Sequence, residues 1–142
     1  MFEHSTSQIL LIEDNALDAD LIRHALLKVE AGAALSIARD GDEAFETIKH
    51  WEEGQPVPIV ILLDLQLPKI NGFEILKTLK THPRYRILPV VVLTSSSNLE
   101  DMQTAYKLGA NSYILKPIDY DLLTRAISLT HRYWCELNVH PE

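Results

Sequence analysis

Four short polar segments in this sequence carry residue types that could together bind a metal ion and a phosphoryl group. Each follows an apolar run: Glu13-Asp14, Asp64, Thr94-Ser95-Ser96 and Lys116-Pro117. Three carboxylates in one cleft repel each other unless a cation compensates their charge. Mg²⁺ takes oxygen ligands and binds through one or two carboxylates, waters and a phosphate. These segments therefore predict a magnesium site, with Asp14 and Asp64 as direct ligands and Glu13 acting through water.

The same segments predict a covalent reaction. A carboxylate can form an aspartyl-phosphate intermediate, and Asp64 is the candidate nucleophile. A phosphoryl group is itself negative, so an acidic pocket would reject it without Mg²⁺ and the ammonium of Lys116. We expect Lys116 to bridge to the carboxylate before transfer and to the phosphoryl oxygens afterwards. The hydroxyl of Thr94 can donate to a phosphoryl oxygen.

Five short apolar runs place these segments at strand ends. The runs barely alternate, which is typical of strands buried on both faces of a parallel sheet. They are Ile9–Ile12, Leu35–Ala38, Ile59–Leu63, Pro89–Leu93 and Tyr113–Leu115.

Between the runs, apolar residues recur every three or four positions, which indicates amphipathic helices. The last such helix spans about Tyr120 to Leu137, and Asn98 or a nearby serine is suited to cap the fourth. The predicted fold is an α/β domain with a doubly wound, five-stranded parallel sheet. Ligands of such sheets bind outside the carboxyl ends of the strands, where the polar segments lie.

The composition limits the class of protein. The chain has 142 residues, one domain's worth, with 13 basic and 20 acidic side chains and a formal net charge of −7. Such an acidic chain is a poor candidate for binding nucleic acid or an anionic membrane, which require a basic face. The single cysteine, Cys135, fits a reducing compartment. No signal peptide or membrane-spanning run is apparent, so we expect a cytoplasmic protein.

The sequence resembles the receiver domains of two-component response regulators over about residues 8–130, with 131–142 as a C-terminal extension. The matching segments are Ile12 to Asn15, Leu62 to Pro68 with Gly72 following, Val91 to Ser96 and Tyr113 to Pro117. The resemblance implies a flavodoxin-like (βα)₅ fold with strand order 2-1-3-4-5. It also implies that a sensor histidine kinase transfers a phosphoryl group from its phosphohistidine to Asp64.

The resemblance implies further roles. The metal, Mg²⁺ or alternatively Mn²⁺, would bind at Glu13 and Asp14 and at the backbone carbonyl of Gln66. Thr94 and Tyr113 are similar to the family's switch pair, which couples the phosphoryl group to a surface.

Three more positions carry expectations from the family. Pro117 would follow a cis peptide bond, which an Xaa-Pro pair tolerates at modest cost. Gln66 and Ser96 occupy positions that tune dephosphorylation. The sequence departs from the family at Glu13, where aspartate is frequent, and at Ser95, where alanine or glycine is usual; a serine there narrows access to the phosphoryl group.

The C-terminus points to a subgroup. Tyr133 to Pro141, with His82-Pro83 and Ser95 to Asp101, is similar to small cyanobacterial-type response regulators paired with phytochrome photoreceptor kinases. We expect no output domain, because too few residues follow the last helix, and the signal would then be read by a partner or by self-association. The apolar residues of the tail and the resemblance favour a homodimer through the fourth helix, fifth strand, last helix and tail, which truncation after Thr130 would abolish. Ordinary helix packing remains an equal interpretation of Tyr133 and Trp134.

Three other classes of protein share parts of this pattern. A haloacid-dehalogenase-type phosphatase needs a second aspartate two residues after the nucleophile, where this chain has Gln66. A flavodoxin-like electron carrier needs a phosphate-binding loop after the first strand, where Glu13-Asp14 would repel the phosphate. A pseudo-receiver that is not phosphorylated should lack a residue of the site, and none is missing.

Overall fold

Five parallel strands form one sheet in the computed structural model, which describes residues 7–29 and 34–141. The strands are β1 (Ser7–Ile12), β2 (Ala34–Ala38), β3 (Val60–Leu63), β4 (Val90–Thr94) and β5 (Ser112–Leu115). Their order is β2-β1-β3-β4-β5, which confirms the predicted topology. All four residues of β3 and all five of β4 are buried, which explains why those apolar runs do not alternate.

Helices follow each strand. They are α1 (Ala16–Val29), α2 (Gly41–Glu52), α3 (Gly72–Thr81), α4 (Leu99–Lys107) and α5 (Tyr120–His131). A 3₁₀ turn, Tyr85–Ile87, precedes β4, and a π-helical segment, Arg132–Leu137, continues α5. Neither was predicted, because the periodicity of apolar residues does not distinguish these tighter or wider turns from an α-helix.

Two apolar cores lie on opposite faces of the sheet, and β1 shows how the chain supplies both. Leu10 and Ile12 join a core with side chains of α2 and α3, whereas Ile9 and Leu11 join a core with side chains of α1 and α5. Since successive strand residues point to opposite faces, a strand covered by helices on both sides must be apolar throughout. Trp134 and Cys135 of the C-terminal segment pack against the second core.

Side-chain caps fix where several helices begin. Asn98 accepts hydrogen bonds from the N–H groups of Glu100 and Asp101, as predicted for the start of α4. Asp40, Asn71 and Asp119 cap α2, α3 and α5 in the same way. These caps satisfy N–H groups that have no partner within the helix. In residues 7–29 and 34–141, no helix is long and apolar enough to span a membrane.

Candidate functional site

Three carboxylates meet at the carboxyl edge of the sheet. Glu13 and Asp14 follow β1, and Asp64 follows β3. One oxygen from each lies within 4.8 Å of the others. Glu13 and Asp64 are buried, while Asp14 is exposed. The group offers only oxygen ligands, with one side open to solvent, which suits a hard cation that keeps several waters.

Both carboxylate oxygens of Asp64 accept hydrogen bonds. Oδ1 accepts from the backbone N–H of Gln66 at 3.0 Å and from the hydroxyl of Thr94 at 2.8 Å. Oδ2 accepts from the ammonium of Lys116 at 2.9 Å. The side chain is therefore fixed in orientation, and its charge is balanced by a cation in a buried setting.

Lys116 lies among three carboxylates. Its Nζ is 2.6 Å from Glu13 Oε1, 2.9 Å from Asp18 Oδ2 and 2.9 Å from Asp64 Oδ2. Burial opposes its charge, but hydrogen bonds to Asp64, Glu13 and Asp18 outweigh burial and hold the pKa of Lys116 above its ordinary value. The lysine is thus a permanent cation at the site.

At Glu13, burial outweighs the hydrogen bonds in its effect on the pKa. Burial raises the pKa of its carboxyl from 4.5 to about 7, despite the hydrogen bond from Lys116, and the nearby charge of Asp64 adds to the increase. The charged forms of Glu13 and Asp64 therefore repel each other in a buried setting. A divalent cation would relieve this repulsion.

Close backbone contact fixes the loop between β3 and α3. A Cβ atom on Gly72 would lie 2.6 Å from the carbonyl oxygen of Asp64 and 2.6 Å from Leu65 Cα. The Gly72 N–H donates to the Leu65 carbonyl at 3.0 Å. Lys69, in the same loop, has a φ of 62°, a conformation uncommon for residues other than glycine. The first turn of α3 is therefore held directly against the peptide that carries Asp64.

The loop between β4 and α4 is tied to Tyr113. The Tyr113 hydroxyl donates to the carbonyl of Ser96 at 2.9 Å, and burial raises the pKa of that hydroxyl. The Ser96 hydroxyl donates to Asp101 Oδ2 at 2.7 Å. Tyr113 therefore contacts the loop that begins at Thr94, while Thr94 itself contacts Asp64.

A side-chain bridge crosses from the β4–α4 loop to the β3–α3 loop. The Ser95 hydroxyl donates to Gln66 Oε1 at 2.9 Å. This contact joins two positions that the sequence singled out separately, one for access to the phosphoryl group and one for dephosphorylation.

The prediction of a cis bond before Pro117 is wrong, since no peptide bond in the described part of the chain is cis. The trans form is the ordinary preference even for Xaa-Pro bonds, and Lys116 reaches its three partners with it. Sequence reasoning also missed two carboxylates, Asp18 and Asp101. The available signal for Asp18 was its place in the first turn of the helix that follows Glu13-Asp14.

Comparison with known proteins adds the family. The family model for the response regulator receiver domain matches residues 9–128 of this chain. The probable methanogenesis regulatory protein FilR2 of Methanothrix harundinacea is 38% identical over 134 residues, which cover 94% of this chain and 86% of FilR2. Response regulator Rcp1 of Synechocystis is 36% identical over 130 residues, 90% of this chain and 88% of Rcp1.

Two solved structures of response regulators are also similar to this chain. The crystal structure of the phosphorylated cyanobacterial phytochrome response regulator RcpA has a TM-score of 0.89 and 33% identity, covering 98% of this chain and 99% of RcpA. The Mn²⁺-bound form of response regulator Rcp1 has a TM-score of 0.85 and 36% identity, covering 94% of this chain and 98% of Rcp1.

Proposed function

The chain belongs to the response regulator receiver domain family, and we propose that its Asp64 accepts a phosphoryl group from the phosphohistidine of a sensor histidine kinase. The observation that carries this proposal is the setting of Asp64. It is a buried carboxylate held by Thr94 and Lys116, next to two further carboxylates that could hold a cation. The hydrogen bonds orient this carboxylate for attack. Lys116 and a bound cation would together offset the negative charge of the incoming phosphoryl group.

In the proposed step, an oxygen of Asp64 attacks phosphorus and the phosphorus–nitrogen bond to the donor histidine breaks. The electron pair of that bond returns to the imidazole nitrogen, and Asp64 becomes an acyl phosphate. Lys116 pairs with the carboxylate beforehand and with a phosphoryl oxygen afterwards. The Thr94 hydroxyl, freed from Asp64 Oδ1, donates to another phosphoryl oxygen.

Mg²⁺, or Mn²⁺ in its place, is the proposed cofactor. Asp14 and Asp64 would bind it directly, Glu13 through water, and Gln66 through its backbone carbonyl. The donor set of the three clustered carboxylates, which consists only of oxygen atoms, supports a hard cation here. When bound, the ion supplies positive charge that offsets the carboxylates and the incoming phosphoryl group.

The proposed partner is a phytochrome-type sensor kinase. The relative RcpA supports the pairing, because it is a cyanobacterial phytochrome response regulator and the likeness covers nearly the whole chain. Side chains beside the site could meet such a partner: Leu17 adjoins Asp18 on α1, Ile118 follows Lys116, and both are exposed. Exposed apolar groups beside a reacting centre are typical of a contact surface.

The proposed output is a surface formed by α4, β5, α5 and the tail, which would join two copies of the chain. Leu129 and Leu137 are 55% and 72% exposed. They line a groove of about 590 Å³ with Arg132, Tyr133 and Glu136. Phosphorylation adds charge at Asp64, and Thr94 and Tyr113 would transmit it to this surface.

The first test is intact mass after incubation with Mg²⁺ and acetyl phosphate. We expect the wild type to gain one phosphoryl group and Asp64→Asn to gain none. Asp42→Asn, which alters an exposed aspartate in the first turn of α2, is the matched control and should react like the wild type. An adduct that persists in Asp64→Asn would contradict Asp64 as acceptor. No adduct in the wild type at any Mg²⁺ concentration would favour a pseudo-receiver.

A further inference from the structure

The ammonium of Lys116 has three N–H donors and lies 2.6–2.9 Å from an oxygen of each of three carboxylates. Glu13 and Asp64 come from the ends of β1 and β3, and the third, Asp18, comes from the first turn of α1. The lysine side chain is only 11% exposed, so little water is available to replace a lost partner. Within the described residues, carboxylates from three different segments thus hold this ammonium.

Phosphorylation would change one of these partners. When Asp64 becomes an acyl phosphate, its negative charge moves to the phosphoryl oxygens, and the N–H that points at Asp64 Oδ2 must turn to one of them. During that exchange only Glu13 and Asp18 hold the ammonium. Glu13 also belongs to the group of carboxylates that could bind a cation, whereas Asp18 does not. Among the described residues, Asp18 is therefore the carboxylate that contacts Lys116 without belonging to that group.

We propose that Asp18 is a positioning residue, which keeps the Lys116 ammonium in the site while Asp64 passes from carboxylate to acyl phosphate. The proposal rests on the proposed phosphoryl transfer. A simpler role for Asp18 is to stabilise the start of α1, where acidic side chains are favourable. That role needs no contact with β5, yet Asp18 Oδ2 lies 2.9 Å from a lysine 98 residues away.

The first test needs no metal and no phosphodonor. Nitrogen-15 NMR of the lysine ammonium groups, with Lys116→Met to identify the signal, reports how firmly Lys116 is held. We expect a slowly exchanging signal in the wild type and a broadened or lost signal in Asp18→Ala. Asp20→Ala is the matched control, because Asp20 is exposed on the same helix and forms a 3.9 Å ion pair with Arg23 instead of a contact with Lys116. Its Lys116 signal should be unchanged.

The second test is the rate of phosphorylation by acetyl phosphate with Mg²⁺. Loss of a hydrogen bond to a charged group predicts a maximal rate about tenfold lower in Asp18→Ala, with the half-saturating acetyl phosphate concentration unchanged. Asp18→Asn keeps a neutral acceptor and should lose less. In a Lys116→Met background, Asp18→Ala should cause no further loss, because a residue that acts through Lys116 is not additive with it.

Two results would overturn the proposal: an unaltered Lys116 signal in Asp18→Ala, or a phosphorylation rate in Asp18→Ala at or above that of the wild type. A purely helix-stabilising role would lower the melting temperature and leave both the signal and the rate unchanged. Failure of the proposed function is distinguishable, since the wild type itself would then form no adduct. The metal-free signal would still report whether Asp18 holds Lys116.

Discussion

Gly72 lies where an added side chain would meet the backbone that carries Asp64. Its absent Cβ would lie 2.6 Å from the carbonyl oxygen of Asp64 and from Leu65 Cα, and backbone atoms cannot move aside as a flexible side chain can. We expect Gly72→Ala to lower the free energy of unfolding by about 1–3 kcal/mol, the typical cost of overpacking. We also expect slower phosphorylation, because the peptide that carries Asp64 must shift. Urea unfolding and acetyl phosphate kinetics measure the two effects.

Gly54→Ala separates stability from site geometry. Gly54 has a φ of +101° and no atom within 4 Å of an added Cβ, so alanine there costs about 1–2 kcal/mol of backbone strain. It precedes β3 and thus lies at the opposite edge of the sheet from Asp64. The phosphorylation rate of Gly54→Ala should equal that of the wild type. Equal rates in both glycine variants would show that the contact of Gly72 with Asp64 does not matter for the reaction.

Lys80 provides a residue-scale test by pH. Its ammonium donates to the carbonyls of Arg86 and Leu88 and to Asn111 Oδ1, but burial lowers its pKa from 10.5 to about 8. Between these values the unfolded chain binds more protons than the folded chain, so the contribution of Lys80 to stability rises with pH in that window. As the pH rises through this window, the unfolding free energy of the wild type should therefore increase relative to that of Lys80→Met.

Urea unfolding at about pH 7.5 and about pH 9.5 measures this shift, which should be on the order of 1 kcal/mol after solvent screening of a partly exposed group. Groups common to both proteins cancel in the comparison. A difference that stays constant across the window would mean that the three acceptors offset the burial of the ammonium.

At the scale of elements, α4 is connected to the site through Tyr113. The ring hydroxyl donates to Ser96, and Ser96 donates to Asp101 in the first turn of α4. We expect Tyr113→Phe to be phosphorylated at the wild-type rate, because no contact with Asp64 is removed. The change in amide hydrogen exchange of α4 on phosphorylation should be markedly smaller than in the wild type, since the loop loses its link to β5.

Tyr106→Phe is a matched control, because Tyr106 lies on α4 itself, 53% exposed, with its ring 6.5 Å from that of Tyr113. In Tyr106→Phe, the change in amide hydrogen exchange of α4 on phosphorylation should equal that of the wild type. If Tyr113→Phe and the wild type show the same exchange of α4 before and after phosphorylation, the hydroxyl is not part of the switch.

The strands show why so much of the fold could be predicted. Burial on both faces makes a strand apolar throughout, so the predicted run Ile59–Leu63 differs from β3 by one residue. The carboxyl ends then follow from parallel order, which brings together Asp64, Thr94 and Lys116. Asp18 escaped prediction because its contact depends on how α1 is rotated against the end of β5. A sequence pattern defines which face of a helix is apolar, and not which polar side chain reaches across.

For the whole molecule, the net charge and the exposed apolar side chains both bear on self-association. The chain carries a formal net charge of −7, and like-charged copies repel at low ionic strength unless they share an apolar contact. Leu129, Tyr133 and Leu137 line an exposed groove at the end of α5 and would supply such a contact in the proposed dimer. Trp134 does not, because it packs against the core shared by α1 and α5. The tail thus has an inward face that belongs to the fold and an outward face that could bind a second copy.

This division changes how the proposed dimer should be tested. Truncation after Thr130 would also remove His131, which is 1% exposed, and Trp134 from the core, so loss of dimers could follow from misfolding. The substitution Leu129→Glu with Leu137→Glu alters only exposed positions. A two-fold interface would repeat each new charge, and juxtaposed like charges cost several kcal/mol. We therefore expect light scattering to give a dimer mass for the wild type and a monomer mass for the double variant.

Leu27→Glu is the control, because Leu27 is a leucine of similar exposure, 51%, on α1. The mass of Leu27→Glu should remain that of the dimer. The wild type, Leu27→Glu and the double variant should all still gain a phosphoryl group, since Asp64 lies at the carboxyl edge of the sheet and the tail follows the far end of α5. Loss of phosphorylation together with loss of the dimer would show that the tail supports the site. A wild type that is monomeric both before and after phosphorylation would contradict self-association, and the exposed leucines would then be the contact for a different protein.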